Sequence, residues 1–182
     1  GVWLDRLGSD SLGCGLLGDS SAVCWGKGPL GDGTTSSSGS PVAVEGGHRF
    51  TELAVGGGFA CGLTVTWEVW CWGDSGVLSP SLVATGAVGI ATEDQWIQVL
   101  HGDGRMTRGV GADFGAYHAH LTGFSGLSML GFSDNNGLAC IRTASGETYC
   151  YQEMFMGIDW VGDNIYMPIQ PIRQVPLTSV SP

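Results

Sequence analysis

Six cysteines fall into three pairs of one spacing: Cys14 with Cys24, Cys61 with Cys71 and Cys140 with Cys150, each pair enclosing nine residues. Six thiols allow many connectivities, and only local pairing accounts for one spacing recurring three times. The other reactive side chains are sparser. His118 and His120 flank one alanine, so a strand would put both on one face at a spacing that binds zinc or copper. No third ligand is recognisable beside them except Asp113, and an exposed strand carrying two histidines is the expected reading. Asp113-Phe114-Gly115 copies the magnesium triplet of protein kinases, without the phosphate loop or catalytic aspartate that gives it meaning. Gly31-Asp32-Gly33 offers oxygen to calcium, but no ligand series follows it. Gly73-Asp74-Ser75-Gly76 matches the surroundings of a serine-protease nucleophile in a chain too short for the two barrels that enzyme needs. Catalytic residues, metal and cofactor are each expected to be none.

The elements that hold the cysteines read as hairpins. Leu63, Val65, Trp67 and Val69 alternate between Cys61 and Cys71, and β-branched and aromatic residues favour strands. Turn signals interrupt each pair at Gly18 to Ser21, Thr64 to Glu68 and Ser145-Gly146. Opposite residues in a non-hydrogen-bonded antiparallel pair lie about 4.5 Å apart at Cα, within reach of a disulfide, so each pair staples its own hairpin. The repeat is longer than the hairpin, because Trp3 and Phe50 each stand eleven residues before the first cysteine. Aligning His101 to Met106 on Thr143 to Thr148 adds a cysteine-free unit, with Gln98 and Arg108 in the cysteine positions. Hairpins are therefore expected near 14–24, 61–71, 98–108 and 140–150, a spacing of four short strands per unit. The 32 glycines oppose helices throughout.

Cys24-Trp25-Gly26, Leu30-Gly31-Asp32-Gly33-Thr34, Pro41-Val42-Ala43-Val44 and Phe50-Thr51-Glu52-Leu53 together resemble the repeat of the regulator of chromosome condensation superfamily, seven-bladed β-propellers. The resemblance is dense over 1–80 and thins over 81–182 to one cysteine pair, scattered glycines and Pro171 to Val175. It implies an all-β fold, a propeller-like array of about four degenerate blades with disulfide-stapled hairpins. One repeat domain is expected over 1–182, with a partial fifth strand at 171–182. At 182 residues seven such blades do not fit. The four-unit alternatives are a small ring, an open arc completed by other copies, and a segment of a longer chain.

Composition narrows the setting. Seventeen acidic residues against seven basic give a net charge of −10, which repels polyanions, so no nucleic acid is expected as a partner. No run of eighteen apolar residues exists to span a membrane. Paired cysteines and a single lysine, Lys27, point to an extracellular or cell-surface protein. The polar run Gly33 to Ser40 reads as a flexible loop, with O-linked sugar expected on Thr34 to Ser40. Asn135, Asn136 and Asn164 lack the N-glycosylation context.

The expected function is non-catalytic: binding a protein partner or presenting loops on a rigid scaffold. The alternatives are a subunit of an extracellular filament and an enzyme built on a propeller. Partner contact is assigned to Trp67 and Trp70, while Trp25 and Trp72 are expected to pack between blades. Self-association is assigned to Trp3, Pro171, Ile172, Val175, Leu177 and Val180, on the argument that an unpaired terminal strand seeks another copy. Leu16, Leu53, Val55, Leu63 and Val69 are the expected core.

Overall fold

The computed structural model of the chain describes residues 3–5, 12–73, 76–93, 95–110, 113–120, 126, 128–133, 138–158 and 164–168. Among these, strands and turns are interrupted by one short 3-10 turn at Glu45–Gly47. Four antiparallel four-stranded sheets follow one another along the chain. Blade 1 holds β1 (Trp3–Asp5), β2 (Leu12–Leu16), β3 (Ala22–Gly26) and β4 (Ser38–Ala43). Blade 2 holds β5 (Phe50–Val55), β6 (Phe59–Thr64), β7 (Glu68–Gly73) and β8 (Val77–Thr85). Blade 3 holds β9 (Ala87–Glu93), β10 (Trp96–His101), β11 (Arg105–Val110) and β12 (Asp113–His120). Blade 4 holds β13 (Ser128–Ser133), β14 (Leu138–Arg142), β15 (Thr148–Ile158) and β16 (Asn164–Pro168). Each sheet is a meander in sequence order, which short turns between antiparallel neighbours allow.

The disulfides Cys14–Cys24, Cys61–Cys71 and Cys140–Cys150 join the two middle strands of blades 1, 2 and 4. The bonded cysteines are direct cross-strand partners with Cα atoms 4.1, 4.1 and 4.0 Å apart. In blade 3 the same register sets Gln98 opposite Arg108.

Strand alternation then decides which blade each side chain meets. Leu12, Cys14, Ala22 and Cys24 of blade 1 pack with Phe50, Leu53, Val55, Ala60 and Trp72 of blade 2. From the other face of blade 2, Phe59, Cys61, Leu63, Val69 and Cys71 pack with Ala87, Ile90, Ile97 and Val99 of blade 3. A blade thus turns its cystine toward the following blade and its odd-register neighbours toward the preceding one. First strands make the joints: β5 lies on β2, β9 on β5 and β6, and β13 on β9 and β10.

The tryptophans after the second cysteines follow this rule. Trp72 is buried in the joint between blades 1 and 2, its indole so close over Gly31 that a Cβ there would meet the ring at 2.6 Å. Trp25 occupies the equivalent position on the face that blade 1 would offer a preceding blade. Among the described residues it lies over Gly13, its cross-strand partner, and is half-buried.

The turn expected at Thr64 to Glu68 lies between β6, which stops at Thr64, and β7, with Val65 and Trp67 exposed in it. Two other expectations change. Leu16 is only partly buried, at the end of β2, whereas Leu53, Val55, Leu63 and Val69 are core. The Gly33 to Ser40 run is a hydrogen-bonded turn that enters β4 at Ser38, which is half-buried. Asp32 Oδ1 accepts from Thr34 N and Oγ1 at 3.1 and 2.9 Å, Thr34 Oγ1 accepts from Ser36 N at 3.2 Å, and Ser37 Oγ accepts from Gly28 N at 3.2 Å. Such side-chain bonds to local backbone order a polar turn that composition alone presents as loose.

Candidate functional site

The turns between the second and third strands share one backbone design. The residue six positions after the first cysteine site has positive φ in all four blades: Ser20 (67°), Trp67 (63°), Gly104 (85°) and Gly146 (86°). Its N–H donates to the carbonyl three residues earlier, at 2.9, 3.1, 2.9 and 2.9 Å in order. The preceding position supplies a polar oxygen: Asp19, Thr66, Asp103 or Ser145. Asp19 Oδ1 accepts from Ser21 N and Oγ, and Asp103 Oδ1 accepts from Arg105 N. The hydrogen bonds from Ser21 hold the Asp19 carboxyl below its ordinary range. Glycine fills the left-handed position without cost, whereas a side chain there costs roughly 1–2 kcal/mol.

Trp67 is therefore out of place by the local rule. Its side chain is 56% exposed beside Val65, which is 62% exposed. The turn itself is tied down: Thr64 Oγ1 accepts from Glu68 N at 3.2 Å and lies 2.8 Å from Thr66 Oγ1, and the Trp67 carbonyl accepts from Ala87 N at 3.0 Å in blade 3. A large aromatic is thus held out to water on a fixed backbone at the joint of blades 2 and 3.

Trp70 has a different setting. It is half-buried against the blade 1 and 2 core, its ring tilted against that of His48 at 4.2 Å between centroids, with its Nε1 donating to Glu68 Oε2 at 3.4 Å. The structure separates the two tryptophans assigned to partner contact, one presented at the turn and one mostly used in packing. His48 carried no sequence signal, because its role depends on a neighbour twenty-two residues away.

Of the remaining sequence candidates, Asp32 is engaged in its own turn. Asp113, His118 and His120 lie on β12, with His120 opposite Arg105. Asp74 and Ser75 lie outside the described residues, as do Pro171, Ile172, Val175, Leu177 and Val180. Trp3 is not unpaired, since β1 pairs with β2 inside blade 1 and sets Trp3 opposite Leu16. Among the described residues no group of three or more His, Cys, Asp or Glu side chains is gathered for a metal.

A second polar feature lies between blades 2 and 3, where Leu82 to Thr85, His101, Arg105 and Thr107 line an open cleft of about 440 Å³. His101 Nδ1 is 3.1 Å from the Thr85 carbonyl and Nε2 is 2.8 Å from Thr107 Oγ1. A carbonyl only accepts, so Nδ1 carries the proton and Nε2 accepts from the threonine. Burial, followed by the Arg105 charge, holds the imidazole below its ordinary value. His101 is thereby a neutral structural link between blades.

No protein-family model and no curated protein matches the sequence. Solved structures do. Human WBSCR16 superposes with a TM-score of 0.64 at 16% identity, covering 95% of this chain and 53% of that one. Yeast RCC1 (Prp20), crystallised with Kap60, gives 0.59 at 13% identity over 88% of this chain and 48% of its own. The fold is a β-propeller, like that of these chains. The chain spans about half the length of these WBSCR16 and Prp20 chains. The computationally designed Ika4 protein is matched over 91% of its length, with a TM-score of 0.52 at 12% identity.

Proposed function

We propose that this chain is a non-catalytic, extracellular or cell-surface propeller that binds a protein partner through the middle turn of blade 2, with Trp67 as its anchor. The observation that carries the reading is the exposed indole on left-handed backbone, where the other blades hold serine or glycine. Exposed aromatics on rigid backbone dominate binding hot spots, and a preformed turn loses little freedom on binding. The propeller neighbours support the mode of action at the level of fold. One of them, Prp20, is described with Kap60 and with Gsp1p and histones. The three cystines and single lysine support the oxidising location. If O-linked sugar is added to Thr34 to Ser40, the geometry favours Thr35, Ser36 and Ser40, which are exposed and for whose hydroxyls no hydrogen bond is seen among the described residues.

The test compares the wild-type chain with Trp67→Gly in affinity capture from extracellular medium, alongside thermal melts of both. Removing a hot-spot aromatic costs about 2 kcal/mol or more in binding, roughly thirtyfold in Kd. The backbone relief of about 1 kcal/mol offsets most of the lost local packing. A partner retained by the wild type and lost by the variant at nearly unchanged Tm supports the reading. Equal retention by both chains overturns it.

A further inference from the structure

The repeat permits a comparison of the two joints on either side of blade 2. Counted from the cysteine positions, Trp70 of blade 2 corresponds to Thr107 of blade 3, and Glu68 corresponds to Arg105. At the first joint Trp70, with Val42 and Val44 from the end of blade 1, packs against the shared core. At the second joint a threonine stands where blade 2 has an indole, and Thr107 lines the open cleft of about 440 Å³, the size of a small-molecule site.

The lining of that cleft divides into an aliphatic and a polar part. Leu82, Val83 and Ala84 of β8 supply the first, and Leu82 is 46% exposed. Arg105 and Thr107 of β11 and His101 of β10 supply the second. His101 and Thr107 are spent on each other and on the Thr85 carbonyl, which leaves Arg105 to receive a ligand. Arg105 Nε meets Asp103 Oδ2 at 3.6 Å, and both side chains are exposed. Exposed pairs of this kind hold weakly against water. For the terminal nitrogens of Arg105 no hydrogen bond is seen among the described residues. A guanidinium fork matches a carboxylate in two parallel bonds. The Arg105 charge also outweighs its partner inside the cleft: after burial, it is Arg105 that most lowers His101, and the opposing Asp103 charge weighs less. The net charge of −10 opposes an anion mainly at long range, where salt screens exposed charges beyond about 8 Å.

The geometry points to this cleft as a binding site for an aliphatic carboxylate, with the carboxyl group on Arg105 and the hydrocarbon chain along Leu82 to Ala84. Such a group comes on a free medium-chain acid or at the C-terminus of a peptide ending in apolar side chains. The carboxylate satisfies the guanidinium donors, and the chain covers a leucine that the fold leaves in water. None of these residues belongs to the Trp67 turn, so this site and the proposed protein contact there stand or fall separately.

The test titrates the full chain with acetate, butyrate and hexanoate, and with N-acetyl-dileucine as the peptide acid. Hexanol and the C-terminal amide of the dipeptide are the uncharged counterparts. Binding is followed by NMR at the Arg105 side-chain N–H and at the methyl groups of Leu82 and Val83. Affinity should rise about threefold for each buried methylene along the acid series. An acid should bind about tenfold or more tighter than its uncharged counterpart, and Arg105→Gln should remove that preference. Whichever of hexanoate and the dipeptide acid binds tighter identifies the source of the carboxylate, and either supports the site. The comparison of acid with uncharged counterpart is made on the wild-type chain and does not depend on the variant folding. The proposal is overturned if neither acid shifts these signals, if each binds no tighter than its uncharged counterpart, if acetate binds as tightly as hexanoate, or if the preference survives in Arg105→Gln.

Discussion

Gly62 follows Cys61 on β6, and its backbone lies outside the left-handed region, so its value is space and not conformational freedom. An ideal Cβ there would lie 2.4 Å from Phe50 Cδ1 and 2.6 Å from Cε1. Real contacts are never that short, so Gly62→Ala forces the phenyl ring to move. The ring has little room, being 1% exposed in the joint of blades 1 and 2, with the His48 and Trp72 rings each 5.7 Å away between centroids. Overpacking of a filled core costs about 1–3 kcal/mol. Replacing a strand glycine with alanine returns about 0.5–1 kcal/mol by restricting the unfolded chain. The net loss is about 1–2 kcal/mol, or roughly 3–6 °C in Tm for a chain of this size. Urea unfolding followed by tryptophan fluorescence measures it. A cycle with Phe50→Leu separates ring contact from any other effect of the methyl group, because the ring is the atom group displaced. In the Phe50→Leu background the alanine should cost less than about 0.5 kcal/mol, the usual error of additivity. The reasoning fails if Gly62→Ala is neutral or stabilising, or if its cost is the same in both backgrounds.

Two further expectations test the joints and the repeat register. His101 is neutral when folded and its value lies below the unfolded 6.5, so the unfolded state takes up the proton first. Its contribution is complete above pH 6.5 and is lost as pH falls from there toward the folded value; Tm measured across that window should fall less for His101→Gln than for the wild type. Gln98→Cys with Arg108→Cys should oxidise to a fourth hairpin disulfide, read as a protein with no titratable thiol after refolding in air, because the two residues share the register of the three natural pairs. Free thiols in that double variant would mean that the blade 3 hairpin is drawn wrongly.

The regular chemistry was legible in the sequence because it repeats. Equal cysteine spacing gave the middle hairpin, and the alignment that placed Gln98 and Arg108 at cysteine positions has its counterpart in the cross-strand pairing. The constant interval from Trp3 or Phe50 to the first cysteine acquires a reason at Gly62, where the absent side chain leaves the bed on which Phe50 lies. What the sequence concealed depends on neighbours distant along the chain. Trp25 and Trp72 occupy equivalent positions, yet Trp72 is buried against Gly31 of blade 1, whereas Trp25 lies half-buried over Gly13 of its own sheet. His48 meets Trp70, and His101 meets Thr85 of another blade, with no local pattern to announce either contact. The Thr34 to Ser40 run misleads for the opposite reason. Its composition suits a loose linker, while Asp32, Thr34 and Ser37 spend their side chains on local backbone bonds.

Departures from the repeat are more informative than its agreement. A repeat positions the same backbone several times, so residues that share a slot differ only in what the slot must do in each blade. At the left-handed turn position, glycine in blades 3 and 4 is what the backbone asks for, and serine in blade 1 is a small concession. Tryptophan in blade 2 answers neither backbone nor core, since it is strained and mostly in water. At the slot beside the cystine, leucine in three blades is what a joint asks for, and blade 4 holds the exposed Arg142 there. Both exceptions lie at surfaces, where the fold does not determine the residue. The first is the slot on which the proposed partner contact rests.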